Sequence, residues 1–196
     1  AIDEPTAEPM RNQAVADFVE LLIKAGQYLG MKLELGSISY QLFALSSIFL
    51  VAIVAFLIVK FVLHFKVLRF VAKSNNIWDD CLLDAGVFRR LARIVPGIIV
   101  YSTYSLFFSP EEKIYSLLAN LSSIYLLFTV WSTLSASLTA VESIYSKSQL
   151  ARKAPITGFI QVAKLLFTLI LIFLILSLLL GKSPIFLLSG LTAIAA

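Results

Sequence analysis

This sequence has little charge, one cysteine and one histidine. The single Cys81 excludes an intrachain disulfide, and with His64 as its lone possible companion no Cys/His metal cage can be assembled. Asp, Glu, Lys and Arg make up 14% of the 196 residues, against about 25% in a soluble domain, while 59% are hydrophobic and the mean hydropathy is +0.91. An ordinary water-soluble fold is thereby excluded. A phosphate-binding loop and a nucleophile elbow are missing as well.

What the chain does have is long stretches with no charge at all. Charge-free gaps of 25 residues (Glu34 to Lys60), 17 (Ile94–Pro110), 28 (Ile114–Val141), 17 (Leu165–Gly181) and 14 (Ser183–Ala196) divide it. A membrane-crossing helix needs about 20 apolar residues, with a range of about 17–25. The pattern therefore predicts an all-α membrane protein with four complete transmembrane helices and the start of a fifth. The spans fall at about Tyr40–Leu63, Leu91–Phe108, Ile114–Val141 and Ile160–Leu180. Pro96 sits near the start of the second, where its missing backbone donor costs least. In Ser109-Pro110-Glu111-Glu112 the spacing predicts a capping box that opens the third span. Gly181-Lys182-Ser183-Pro184 repeats the cap-then-proline logic before the fifth helix. From Pro184 to Ala196 that helix reaches only about 20 Å, against about 30 Å of hydrocarbon, so the expectation is that the chain is the N-terminal portion of a longer one.

Between the spans lie polar and amphipathic stretches. Residues 1–36 comprise an acidic, proline-containing tail and an amphipathic helix over about Arg11–Tyr28. A place in the membrane interface and packing against the helix bundle both fit it. The polar start AIDEPTAEP fits a terminus left by signal-peptide removal and equally a trimmed chain. A second amphipathic helix is predicted over Ile77–Arg93, with Asp79, Asp80 and Asp84 early and Arg89, Arg90 and Arg93 late, as the helix dipole favours. Residues 37–182 thus carry the spans, joined on one side by loops 64–93 and 142–160.

Charge sets the orientation. With the N-terminus outside, segments 60–93 and 142–164 lie inside and hold 11 of the 16 basic residues, for a net +7 against −3 outside. The positive-inside rule then favours an N-out chain whose excess positive charge meets anionic lipid rather than nucleic acid.

Chemistry at membrane depth would require ionisable groups there, and the charge-free gaps of the four spans hold no Asp, Glu, Lys, Arg or His; Lys60, Arg93 and Lys164 fall toward the ends of their spans. His64 follows the first span among lysines, an interfacial position. Trp78-Asp79-Asp80 reads as an interfacial tryptophan beside a helix-start acid pair, and Cys81 as a small apolar filler. Ser132, Ala136 and Ala140, with Thr129, Thr133 and Ser137 one residue off register, place small residues at four-residue spacing, a pattern for close helix packing. A hydrophilic conduit is the lesser reading of the same residues. No catalytic residue and no cofactor is expected.

Three runs carry a resemblance. SPIFLLSGLTAIAA (Ser183–Ala196) is similar to the start of the pore helix of the small-conductance mechanosensitive channel family. WDDCLLDAGVFRRLARIVPGIIVY (Trp78–Tyr101) and KAPITGFIQVAKLL (Lys153–Leu166) resemble cytoplasmic loop regions of its five-span, miniconductance-type branch. Together they cover about a quarter of the chain, and Thr192 stands where the family pattern expects Gly or Ala. The resemblance implies a homoheptameric inner-membrane channel with a periplasmic N-terminus, gated by membrane tension and releasing solutes on hypo-osmotic shock. Residues 183–196 would begin the pore-lining helix, with Gly190, Ala193 and Ala196 in its packing stripe. From position, Trp78, Arg89, Arg90 and Arg93 are the candidates for coupling to lipid and tension. A non-conducting membrane scaffold or accessory subunit is the main alternative. A secondary transporter is third, since no mid-membrane repeat of polar breaks is present.

Overall fold

The computed structural model describes residues 20, 24, 26–28, 37–71, 77–147, 156–187 and 189. Of these, 91% are helical and none is in a strand. Five helices follow in order: α1 (Ile38–Val71), α2 (Ile77–Asp84), α3 (Val87–Phe107), α4 (Lys113–Ser146) and α5 (Thr157–Leu180). Serine side chains help open two helical segments. The Ser37 hydroxyl accepts the Tyr40 N–H at 3.2 Å before α1, and the Ser183 hydroxyl accepts the Phe186 N–H at 3.3 Å in the turn after α5.

Among the described residues, three helices are long and apolar enough to cross a membrane: α1 over Ile38–Phe65, α4 and α5. The expected second span is present as a helix, α3, but Arg90 and Arg93 in its first two turns keep it from meeting the same measure. Four complete spans therefore do not follow from length and composition.

Other expectations change in detail. The stretch Ile77–Arg93 is not one helix. It breaks at Ala85-Gly86, where Gly86 takes the left-handed conformation at φ 68° and its N–H donates to the Leu83 carbonyl at 2.9 Å. Only glycine adopts that geometry without strain. Gly86→Ala, with nothing within 4 Å of the added methyl, is expected to cost about 1 kcal/mol by backbone strain alone, measured by thermal unfolding in detergent. The break reverses the dipole argument. Arg89 and Arg90 begin α3 rather than ending α2, so they sit at the positive end of a helix and need another source of stability. Pro96 lies well inside α3 instead of near its start, and the Ala92 carbonyl lacks the usual intrahelical donor. No capping box forms at Ser109: residues 109–112 make a turn, with the Glu112 N–H donating to the Ser109 carbonyl at 3.0 Å, and α4 begins at Lys113. The loop expected from residue 142 is helical as far as Ser146, and α5 begins at Thr157.

Packing follows the order α1, α3, α4, α5, each helix resting chiefly on its neighbours, with α2 laid against α4 and α3. It is an open row; among the described residues α1 and α5 share no extensive contact. Two clusters pin it. Near one end, Ala44 and Ile48 of α1 meet Phe107, Phe108 and Leu118. The Tyr40 hydroxyl donates to the Phe107 carbonyl there at 3.4 Å. At the other end Val87 packs on Ala136 and Ala140 of α4, with Leu82 and Ala85 beside them. Cys81 is buried, as a small filler should be. Small residues thus serve close packing. The hydroxyls of Thr129, Thr133 and Ser137 each donate to a carbonyl of their own helix at 2.8–3.0 Å, as satisfied packing residues do.

The outward surfaces are strongly apolar. On α5 the side chains of Phe159, Leu165, Leu179 and Leu180 are all more than half exposed, as are Leu42, Leu50 and Phe61 on α1. Such area in water would be a severe liability. In lipid it is the expected surface. Most of the N-terminal amphipathic helix lies outside the described residues. Within it Glu20 and Lys24 are helical and exposed, and their side chains pair at 2.8 Å. The hydrogen bond from Lys24 holds the Glu20 carboxyl below its usual range.

Candidate functional site

Three of the polar contacts between helices, made by Arg90, Arg93 and Lys164, gather toward one end of the row, away from the Tyr40–Phe107 bond. Lys60 and His64 sit one turn apart on α1, and with Arg89 of α3 they wall one cavity of about 310 Å³. Arg90, half-buried, sends Nη1 to the Ser132 carbonyl of α4 at 2.9 Å. That charge-assisted bond helps offset the unfavourable helix end on which Arg90 stands. The Tyr125 hydroxyl of α4 donates to the Arg93 carbonyl at 2.9 Å. Lys164 of α5 donates through Nζ to the Thr139 hydroxyl of α4 at 2.8 Å. Nearer mid-span, Trp131 Nε1 donates to the Thr168 hydroxyl at 3.1 Å, a second polar tie between α4 and α5.

These cations lie a hydrocarbon thickness away from the opposite helix ends. At 1.5 Å per residue, α4 rises about 28 Å from Lys113 to Ser132, and α5 about 26 Å from Lys164 to Gly181. From Arg90 to Phe107, α3 rises about 26 Å. All three are close to the roughly 30 Å of a bilayer core. Lys60, Arg89, Arg90, Arg93 and Lys164 therefore form a basic belt toward one end of the apolar helices, a level from which long cationic side chains can reach a headgroup layer.

Of the residues singled out from sequence, Arg89, Arg90 and Arg93 come together at the foot of α3, but they differ in role. Arg90 is tied to α4, while the side chains of Arg89 and Arg93 are exposed. Trp78, 57% exposed in the first turn of α2, presents its ring outward as an interfacial tryptophan does. Gly190, Ala193 and Ala196 lie outside the described residues. Sequence reasoning missed Lys60 as a partner of Arg89; the shared wall depends on α1 packing against α3, which no local pattern announces. It also missed the tight packing of α4 side chains against Gly97. A methyl added there would stand 2.7 Å from Tyr125 Cδ1 and 2.8 Å from Leu126 Cδ2.

Above the belt, an apolar cavity of about 600 Å³ opens between α1, α3, α4 and α5, walled by Phe49, Ile53, Pro96, Gly97, Tyr125 and Ile175 among others. Among the described residues no group of three or more His, Cys, Asp or Glu could hold a metal ion. No family model matches the sequence, and no solved structure matches the fold.

Proposed function

We propose that this chain carries the membrane-sensing helices of a tension-gated channel of the inner membrane, one that releases ions and small solutes on hypo-osmotic shock. The observation that carries the reading is the junction after α5. An apolar helix with most of its surface unpartnered ends at Gly181 in the left-handed conformation, and Ser183 immediately caps a further apolar segment. That segment opens the run Ser183–Ala196 that is similar to a pore helix. An exposed helix leading into a second apolar helix suits a subunit whose pore is completed by other copies, a homoheptamer by the resemblance. In this reading α3 is a fourth span, its arginines anchored at the cytoplasmic surface and the N-terminus periplasmic, in keeping with the rise from Arg90 to Phe107 and with the basic belt.

Tension favours the conformation that occupies more membrane area, so any helix anchored differently in two states biases their equilibrium. Arg89, Arg90 and Arg93 are the anchors. In excised patches containing the full chain, tension alone should open a weakly selective conductance. The triple change of Arg89, Arg90 and Arg93 to Gln should raise the threshold tension. An unchanged threshold removes the arginines from the mechanism. Silence of the unaltered protein at every tension would leave the non-conducting scaffold standing instead.

A further inference from the structure

We propose that the cavity walled by Lys60, His64 and Arg89 binds the phosphate of an anionic phospholipid, with an acyl chain in the groove that adjoins it. Two cavities share a wall here. The first, about 310 Å³, has Lys60 and His64 on one side and Arg89 on the other, with Leu63, Gly86 and Phe88 between them. Among the described residues no Asp or Glu lines it, and none of the three polar side chains forms an ion pair. The second, about 590 Å³ and open to the outside, is walled by Leu57, Ile58 and Phe61 and again by Lys60 and His64. A ligand that fills both is charged at one end and apolar along the other.

The charged compartment, at about 310 Å³, is large enough for a phosphate group. Arg89 brings a planar fork that can grip two phosphate oxygens, and Lys60 a compact point charge. The left-handed turn at Gly86 brings no side chain of its own into the space near Arg89, and nothing lies within 4 Å of where a methyl would stand there. The apolar compartment runs along the face of α1 where Leu57, Ile58 and Phe61 are each more than half exposed. Lys60 is about 33 Å of helix rise from Ile38, which sets the phosphate at headgroup depth. Free phosphate would satisfy the cations and leave the apolar groove empty, so the combined shape favours a lipid. The proposal takes from the functional reading above only that the helices sit in a bilayer.

The test uses the full chain reconstituted in nanodiscs of phosphatidylcholine, with spin-labelled phosphatidylglycerol or spin-labelled phosphatidylcholine as the probe. The unaltered protein should immobilise the glycerol lipid with about tenfold preference, and high salt should weaken that preference. Lys60→Gln with Arg89→Gln should bring it to within about twofold. The charge-preserving pair Lys60→Arg and Arg89→Lys should retain most of it, which separates charge recognition from misfolding. Lys113→Gln, exposed at the opposite end of α4 and outside the cavity, should leave it intact. The proposal is overturned by an unchanged preference in the Gln pair, by equal loss in Lys113→Gln, or by full displacement of the labelled lipid with millimolar inorganic phosphate. Because no tension is applied, a protein that never conducts can still pass this test, and a conducting one can fail it.

Discussion

Gly97→Val will pry α3 from α4 and cost the protein about 2–3 kcal/mol, enough to lower its unfolding temperature in detergent by several degrees. The reason is distance. A Cβ at this position meets two ring carbons of Tyr125 at 2.7 and 3.0 Å and Leu126 Cδ2 at 2.8 Å, and valine adds two further methyl groups. Tyr125 cannot withdraw freely, because its hydroxyl is held on the Arg93 carbonyl at 2.9 Å. The substitution therefore forces a choice between losing that hydrogen bond and separating the helices. Lipid gives no hydrophobic reward for burying a leucine against a leucine, so the close packing of Tyr125 and Leu126 on Gly97 is a main attraction here, and its loss is not recovered elsewhere. Gly158→Ala is the matched control. No atom lies within 4 Å of the added methyl in the first turn of α5, so stability should be unchanged or rise by about 0.5 kcal/mol through helix propensity. Equal damage from both changes would show that the α3–α4 approach is unimportant.

Ala140→Leu should be comparably harmful, and its effect should spread further. Ala140 is 0% exposed and Ala136 1%, both pressed against Val87 at the start of α3 with Leu82 and Ala85 adjoining. Three extra carbons at that junction have no cavity to enter, for an overpacking cost of about 2–3 kcal/mol. The displaced elements would be α2 and the Gly86 turn. Limited proteolysis should then cleave near Ala85-Gly86 at enzyme concentrations that leave the unaltered protein whole. Val141→Leu, one residue on and 46% exposed, should have neither effect. If Ala140→Leu resists protease as the parent does, the small residues of α4 are not the seat of α2.

The apolar helices were legible because charge is excluded from hydrocarbon. The gaps after Glu34, Lys113 and Lys164 locate α1, α4 and α5, but not their ends: α1 continues past Lys60 to Val71, and α5 begins before Lys164, at Thr157. Where the reading erred, a local rule met a competing local rule. Ser109 through Glu112 has the letters of a capping box, but the chain uses them for the turn between α3 and α4. Apolar periodicity continues smoothly from Leu82 to Leu91, and only the conformation of Gly86 shows that two helices are involved. The candidate site was half visible. Its arginines stand out in any charge map, whereas their differing partners — Ser132 for Arg90, the shared wall with Lys60 for Arg89 — are tertiary facts.

The open row has a mechanical corollary. In a closed bundle each helix touches several others, and a push on one is shared around the ring. Here α1 bears mainly on α3, α3 on α4, and α4 on α5, like springs joined end to end. Within the described residues, a displacement of α1 reaches α5 chiefly through two intermediate joints, and the most compliant joint takes up most of the travel. Stiffness is therefore set by the weakest pairing rather than by the average. The α4–α5 seam, fastened by Trp131–Thr168 and Lys164–Thr139, is the last link before the turn at Gly181.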